Sequence, residues 1–258
     1  MDLNLKDKVF LISGGAKGIG AAIVRALAGE GALPVFVDRD LDAGNRLLND
    51  LKLRPSSFVH AELASAESCA RAVTQAAAEF GKLDGVVNNA GINDRVGLEG
   101  GSPQAYIASL ERNLFHYYNL VHYALPHLKE SRGCVLNISS KTALTGQGGT
   151  SGYVAAKGAI LAMTREWAVE LLPYSIRVNA IVPAEVMTPL YQQWLSTFPD
   201  PQAKLEVIIA NIPFEKRMTK PEEIAAMAVF LLSEKAGHIT GQHIFVDGGY
   251  VHLDRALS

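Results

Sequence analysis

The chain has 258 residues, 48% of them hydrophobic, and a formal net charge of -2. That composition supplies one well-buried core and no basic surplus for nucleic acid, and neither a secretory signal nor a membrane-spanning run is read in it. Its two cysteines, Cys69 and Cys134, fall in a helical and a strand pattern, so the expectation is a cytoplasmic protein with no disulfide and no metal site.

In chain order, a short apolar run over 9–13 followed by glycines reads as a buried strand, and 18–29 has helical periodicity through Ile19, Ile23, Leu27 and Ala28. Next come a strand over 35–37 ending at Asp38, a helix over 42–51, a strand over 57–60, an alanine-rich helix over 66–80 closed by Gly81, and a strand over 85–87. The second half repeats the alternation. It offers one long helix over 103–129, with Pro126 bending or ending its last turns, then a strand over 134–138 and a helix over 151–172 stopped by Pro173. A strand over 176–182, an irregular segment over 187–213, a helix over 221–232 and a strand over 243–246 complete it. Strands alternating with helices imply a parallel sheet covered on both faces. With no linker and no repeat, one α/β domain over 1–258 is expected, of the Rossmann-type doubly wound class, with a substrate lid at about 187–213.

Ser13-Gly14-Gly15-Ala16-Lys17-Gly18-Ile19-Gly20 follows the first strand and opens a helix. Small residues let the backbone turn sharply and approach a pyrophosphate, and the helix N-terminus offers free N–H groups to it. Glycines also mark plain turns, and this spacing differs from the commoner Gly-x-Gly-x-x-Gly pattern. Asp38, at the end of the second strand, suits both ribose hydroxyls of NAD and would repel the 2′-phosphate of NADP. Arg39 and Lys17 are cations beside the same position and leave dual use open.

Tyr153 and Lys157 are four apart on a predicted helix and share a face. Ser139 and Ser140 lie past one strand end, and Asn88-Asn89-Ala90-Gly91 past another, where ligands bind in open α/β sheets. Together with Gly14, Gly18, Gly20 and Asn113, these residues make the chain resemble the short-chain dehydrogenase/reductase family over essentially its whole length. The resemblance implies a strand order of 3-2-1-4-5-6-7, a homotetramer, and catalytic roles for Asn113, Ser140, Tyr153 and Lys157. The family's serine-to-tyrosine spacing selects Ser140 over Ser139. Pro183 and Thr188 resemble the family's Pro-Gly motif beside the nicotinamide, with Ala184 in place of its glycine. Glu62 stands where an adenine-contacting aspartate is common. The expected cofactor set is Gly14, Lys17, Gly18, Ile19, Gly20, Asp38, Glu62, Leu63, Asn89, Tyr153, Lys157, Pro183, Val186 and Thr188, for NAD.

Free tyrosine titrates near ~10. The Lys157 ammonium and the cationic nicotinamide are expected to lower Tyr153, so that it takes the substrate hydroxyl proton while hydride leaves carbon. Ser140 would bond the same oxygen. By resemblance, Asn113 would hold a water that joins Lys157 to solvent; the alternative is a helix-kink asparagine that satisfies backbone groups.

The segments 141–153, 183–194 and 247–255 resemble the bacterial L-fucose dehydrogenases of that family, which implies oxidation of a free sugar at its anomeric carbon to a lactone. Asn93, Lys141, Gln147 and Glu185 are polar candidates for sugar hydroxyls, and Trp194 or Tyr191 could cover an apolar sugar face. Glu185 has a solvated loop acid as its alternative, and Trp194 a place in the lid core. His116, His122 and His127 are not spaced to hold one metal and read as helix-surface or interface residues. Phe115, Tyr117, Tyr118 and Tyr123 make the same helix a face for a partner subunit. A ketone, 3-oxoacyl or steroid reductase is the rival enzyme, and a non-catalytic nucleotide-binding protein the rival class.

Overall fold

A computed structural model describes residues 2–51 and 55–253 of the chain. Its strands are β1 (Val9–Ser13), β2 (Leu33–Asp38), β3 (Ser57–His60), β4 (Gly85–Asn88), β5 (Cys134–Ile138), β6 (Arg177–Pro183) and β7 (His243–Val246). All pair in parallel, in the order β3-β2-β1-β4-β5-β6-β7. The alternation along β1 explains why both faces must be covered. Phe10 and Ile12 enter one apolar cluster, and Val9 and Leu11 the other. On the first face lie α1 (Gly18–Gly29), α2 (Leu41–Asp50) and a helix over Pro221–Leu232; on the second lie α3 (Ala66–Phe80), the helices of 103–131 and the helix Ser151–Glu170. Strand order reverses between β1 and β4, which opens the crevice at their carboxyl ends where the site forms.

The long helix expected over 103–129 is not continuous. It consists of α4 (Pro103–Leu110), one π turn over Glu111–Phe115, and α5 (His116–Ser131). Pro126 does not end it. The carbonyl that the proline leaves without a donor belongs to exposed His122, where water can reach it. A short helix α6 (Thr142–Thr145) follows β5, and α7 (Ser151–Glu170) stops before one 3-10 turn that contains Pro173.

The segment expected to be irregular over 187–213 holds two helices, α8 (Pro189–Leu195) and α9 (Pro201–Ala210), ahead of α10 (Pro221–Leu232). Thr188 and Asp200 cap α8 and α9 by accepting from Tyr191 N at 3.2 Å and Ala203 N at 2.9 Å, and a proline opens each helix. The prolines are therefore helix starts here, not breakers.

His116 is not on the helix surface. It is 2% exposed, with Nε2 3.1 Å from the Ala90 carbonyl, while His122 is exposed. Tyr117 likewise points inward at 0% exposure, whereas Phe115, Tyr118 and Tyr123 remain on the surface. Both cysteines are buried, and burial pushes each thiol up to about 11. Among the described residues no helix is long and apolar enough to cross a membrane.

Candidate active site

The turn from β1 into α1 is built around small residues. Gly18 sits at φ +57°, a left-handed backbone disfavoured for residues with a side chain, and a Cβ on Gly20 would lie 2.1 Å from the Gly14 carbonyl oxygen. Asn89 braces the turn from the end of β4. Its Nδ2 donates to the carbonyls of Ser13 and Gly14, both at 3.0 Å, and Ser13 Oγ accepts from the backbone N–H groups of Asn89 and Ala90 at 3.0 and 3.2 Å. Lys17, the residue before α1, supplies no side-chain cap, so the first-turn N–H groups remain available to an anion.

Asp38 stands beside that turn. Its Oδ2 accepts from Ala16 N and its Oδ1 from Asp40 N, both at 3.0 Å, which orients the carboxylate. The two cations that left NADP open have acidic partners: Lys17 Nζ lies 2.7 Å from Asp40, and Arg39 lies 3.3 Å from Glu62. Glu62 is exposed, and Leu63 packs half-buried against the second face. Cramped glycines, a free helix end and a fixed carboxylate suit the phosphates and ribose of a dinucleotide.

On the other side of the switch point, Ser140 follows β5. Its hydroxyl oxygen accepts from Thr142 Oγ1 at 3.0 Å and Thr142 N at 3.3 Å. Ser139 Oγ donates instead to the Lys157 carbonyl at 2.8 Å, so that serine is tied to the α7 backbone. Tyr153 and Lys157 share a face of α7, with Lys157 Nζ 5.6 Å from the Tyr153 ring centroid. Lys157 Nζ also donates to the Ile138 carbonyl at 2.8 Å and to the Tyr117 hydroxyl at 3.0 Å.

Asn113 lies in the π turn, fully buried. Its Oδ1 accepts from Ile92 N at 2.8 Å and its Nδ2 donates to Ser109 O at 3.0 Å, so the amide does satisfy backbone groups at a helix irregularity. A Cβ on Gly91 would lie 3.1 Å from that Oδ1 and 3.6 Å from Lys157 Nζ, so both side chains crowd the same glycine.

The electrostatics depart from the sequence expectation. Burial pushes the Tyr153 phenol up to about 12; the Ser140 hydroxyl pulls it back, and the Asp94 charge pushes it further up. Burial also pulls the Lys157 ammonium down to about 7. In the protein alone the phenol is therefore raised, not lowered, because loss of water outweighs its neighbours.

The substrate candidates divide. Lys141 is buried and ion-paired with Glu185 Oε1, while Glu185 Oε2 accepts from the Tyr191 hydroxyl at 2.7 Å. Lys141 Nζ also lies 3.6 Å from the Tyr250 ring centroid. Glu185 is thus no solvated loop acid, and both its oxygens already have protein partners. Asn93 Oδ1 accepts from Thr150 Oγ1 and from Arg95 N. Gln147 stands exposed on a loop with Gly146 and Gly148 at φ +68° and +81°. Trp194 packs edge-on to Tyr191 and Phe198, each at 5.0 Å, with Arg95 over its ring. Pro183, the last residue of β6, accepts from Lys141 N at 2.9 Å, and Val186 is buried where its loop bridges Thr219. A Cβ on Gly18 would touch Thr188 Cγ2 at 3.3 Å, so that loop meets the glycine turn.

Tyr117 had no site role in the sequence reading. The signal was present: Asn113, Tyr117, Leu120, Ala124 and Leu128 form one inward stripe at helical spacing. Tyr250, whose ring lies against Lys141 Nζ, carries no sequence signal beyond its place in the segment 247–255.

A family model described as enoyl-(acyl carrier protein) reductase matches residues 14–251. The L-fucose dehydrogenase of Rattus norvegicus is 41% identical over 244 residues, which is 94% of this chain and 88% of that protein. A crystal structure described as Cj0485 dehydrogenase is 47% identical with a TM-score of 0.95, covering 100% of this chain and 99% of that one. The 3-ketoacyl-(acyl-carrier-protein) reductase from Brucella melitensis, complexed with NADH, is 32% identical with a TM-score of 0.87, covering 96% of this chain and 100% of that one. With this identity and coverage, the chain belongs to the short-chain dehydrogenase/reductase family and is an oxidoreductase of that type.

Proposed function

We propose that the chain is a cytoplasmic NAD-dependent dehydrogenase that oxidises the anomeric hydroxyl of an L-fucose-like aldose to a lactone. One observation carries this reading. Ser140, Tyr153 and Lys157 gather across the switch point from the glycine turn, and beside them buried Lys141, after β5, joins half-buried Glu185 and Tyr191, after β6, in a polar cluster. An apolar substrate would gain nothing from such groups, whereas sugar hydroxyls need directional partners. The 41% identity to an L-fucose dehydrogenase supports the same substrate class.

Gly14, Lys17, Gly18, Ile19 and Gly20 would hold the dinucleotide phosphates, Asp38 the ribose diol, and Glu62 and Leu63 the adenine side. Asn89, Pro183, Val186 and Thr188 would line the remaining cofactor site, with Tyr153 and Lys157 facing the other ribose. When bound, the nicotinamide accepts hydride. Tyr153 takes the C1 hydroxyl proton and Ser140 orients that oxygen. Lys157 favours the phenolate, and Asn113 fixes the wall beside Lys157. Asn93, Lys141, Gln147, Glu185 and Trp194 would meet the other hydroxyls and the ring, under a lid of α8 and α9.

A 3-oxoacyl reductase is the second reading, favoured by the description of the family model and by the reductase at 32% identity. The polar cluster of Lys141, Glu185 and Tyr191 counts against it. Assaying the pure protein with NAD and NADP against aldoses, secondary alcohols and steroids separates the readings. The expected result is fastest turnover on an L-fucose-like aldopyranose with NAD. Turnover of a steroid or simple secondary alcohol with none on any aldose would overturn the sugar substrate.

A further inference from the structure

We propose that Tyr117 is a positioning residue, whose hydroxyl keeps the Lys157 ammonium charged and in place. This rests on the reading of Lys157 given above. An ammonium has three donors. One reaches the Ile138 carbonyl at 2.8 Å and another the Tyr117 hydroxyl at 3.0 Å, leaving one for the site. The Tyr117 hydroxyl donates its own proton to that same carbonyl at 2.9 Å. Its lone pairs are therefore turned to Lys157, and the three groups close a triangle.

The other neighbours offer little to a buried cation. On α5, His116 is held neutral near pH 7, its own titration pulled down to about 4 by burial and then by the Lys157 charge. From β5 comes the Ile138 carbonyl, and just past it Ser139, whose hydroxyl is turned to the Lys157 backbone. On α7 itself the neighbour is Tyr153, and the π turn contributes Asn113, whose amide groups already have partners. Asp94, in the loop after β4, acts on Tyr153 and is tied to Arg112 and Ser109, each at 2.9 Å. No carboxylate among the described residues pairs with Lys157. Two neutral oxygens replace water around the ammonium, with the Tyr117 and Tyr153 ring centroids at 5.1 and 5.6 Å. Burial already draws Lys157 down to about 7, so the loss of one acceptor changes its charge at working pH. Phenylalanine would keep the packing of Tyr117 and lose the acceptor.

The test is Tyr117→Phe, with Tyr117→Met as a second variant that fills the space flexibly without an acceptor. The first readout needs no turnover. In protein carrying 13C-labelled lysine and no cofactor, the Lys157 Cε signal, identified by its loss in Lys157→Arg, is followed against pH. The expected midpoint lies about one pH unit below wild type, a tenfold loss in the ratio of charged to neutral lysine. The second readout is the pH profile of kcat. Less ammonium means a higher Tyr153 pKa, so the limb that rises with pH moves upward by about one unit. Turnover at pH 7 falls roughly tenfold and partly recovers at higher pH, while KM for NAD changes less than about threefold. An unchanged Lys157 midpoint, or a pH-independent loss that follows a lower melting temperature, overturns the proposal. If Tyr153→Phe and Lys157→Ala both keep full turnover, the catalytic reading has failed, and the lysine titration still decides the hold of Tyr117 on Lys157.

Discussion

Tyr153 and Lys157 are both harder to ionise in the protein alone than in water, one pushed up to about 12 and the other pulled down to about 7. In the proposed mechanism the Tyr153 hydroxyl transfers a proton and does not anchor the cofactor, so its loss should separate turnover from cofactor binding. Tyr153→Phe is expected to lower turnover by about a thousandfold and to leave NAD affinity within about threefold, read by steady-state rates and by NAD titration of the protein's fluorescence. Substantial remaining turnover would contradict it. Asp38→Ala is expected to weaken NAD use and to relieve the repulsion of NADP, so that the ratio of kcat/KM for the two cofactors moves toward NADP. A ratio unchanged from wild type would remove Asp38 from cofactor choice. At this scale the sequence displayed the proposed reacting groups, because a Tyr and a Lys four apart on one helix share a face. It did not display their protonation, which is set by burial. Nor did it show that Lys17 meets Asp40 and Arg39 meets Glu62, since those pairings depend on how β2, β3 and α1 pack.

At the scale of elements, β1, α1, β3, α3, β5, α10 and β7 have the bounds that their periodicity and capping predict. The lid differs for a physical reason. Thr188-Pro189 and Asp200-Pro201 are a capping residue followed by a proline at the first helical position, a start signal that composition alone hides. The π turn at Asn113 was hidden too, because one extra residue in a turn leaves the hydrophobic pattern nearly intact. That turn is followed directly by α5, whose first residue, His116, makes the molecule sensitive to acid. Burial holds its titration at about 4, below the usual 6.5. Between those values the unfolded chain binds a proton that the native state does not. The His116 contribution is therefore complete above about pH 6.5 and is lost as pH falls toward 4, by up to about 3 kcal/mol. His116→Asn should be less stable near pH 7 yet lose less between pH 7 and pH 5 than wild type, read from urea unfolding at each pH. Equal losses in the two proteins would contradict this.

For the whole molecule, the strand order expected from the family resemblance is the order found, and it sets the crevice between β1 and β4. Alternation of strands and helices was legible in the chain. The order was not, since many crossover patterns share that alternation. The surface of α4, the π turn, α5 and α7 carries Ile107, Phe115, Tyr118 and Val169 at 53, 46, 53 and 67% exposure. The homotetramer expected from the family resemblance would cover it. Light scattering is expected to give a tetramer, and Tyr118→Glu with Val169→Asp a smaller species; a stable wild-type monomer would contradict it. The central claim, oxidation of an aldose at C1 with NAD, is tested most directly with L-fucose deuterated at C1. The account predicts that deuterium appears on the nicotinamide ring of the NADH formed and that the sugar product is the lactone. NADH formed without deuterium, or no NADH at all with L-fucose and its close relatives, would contradict it.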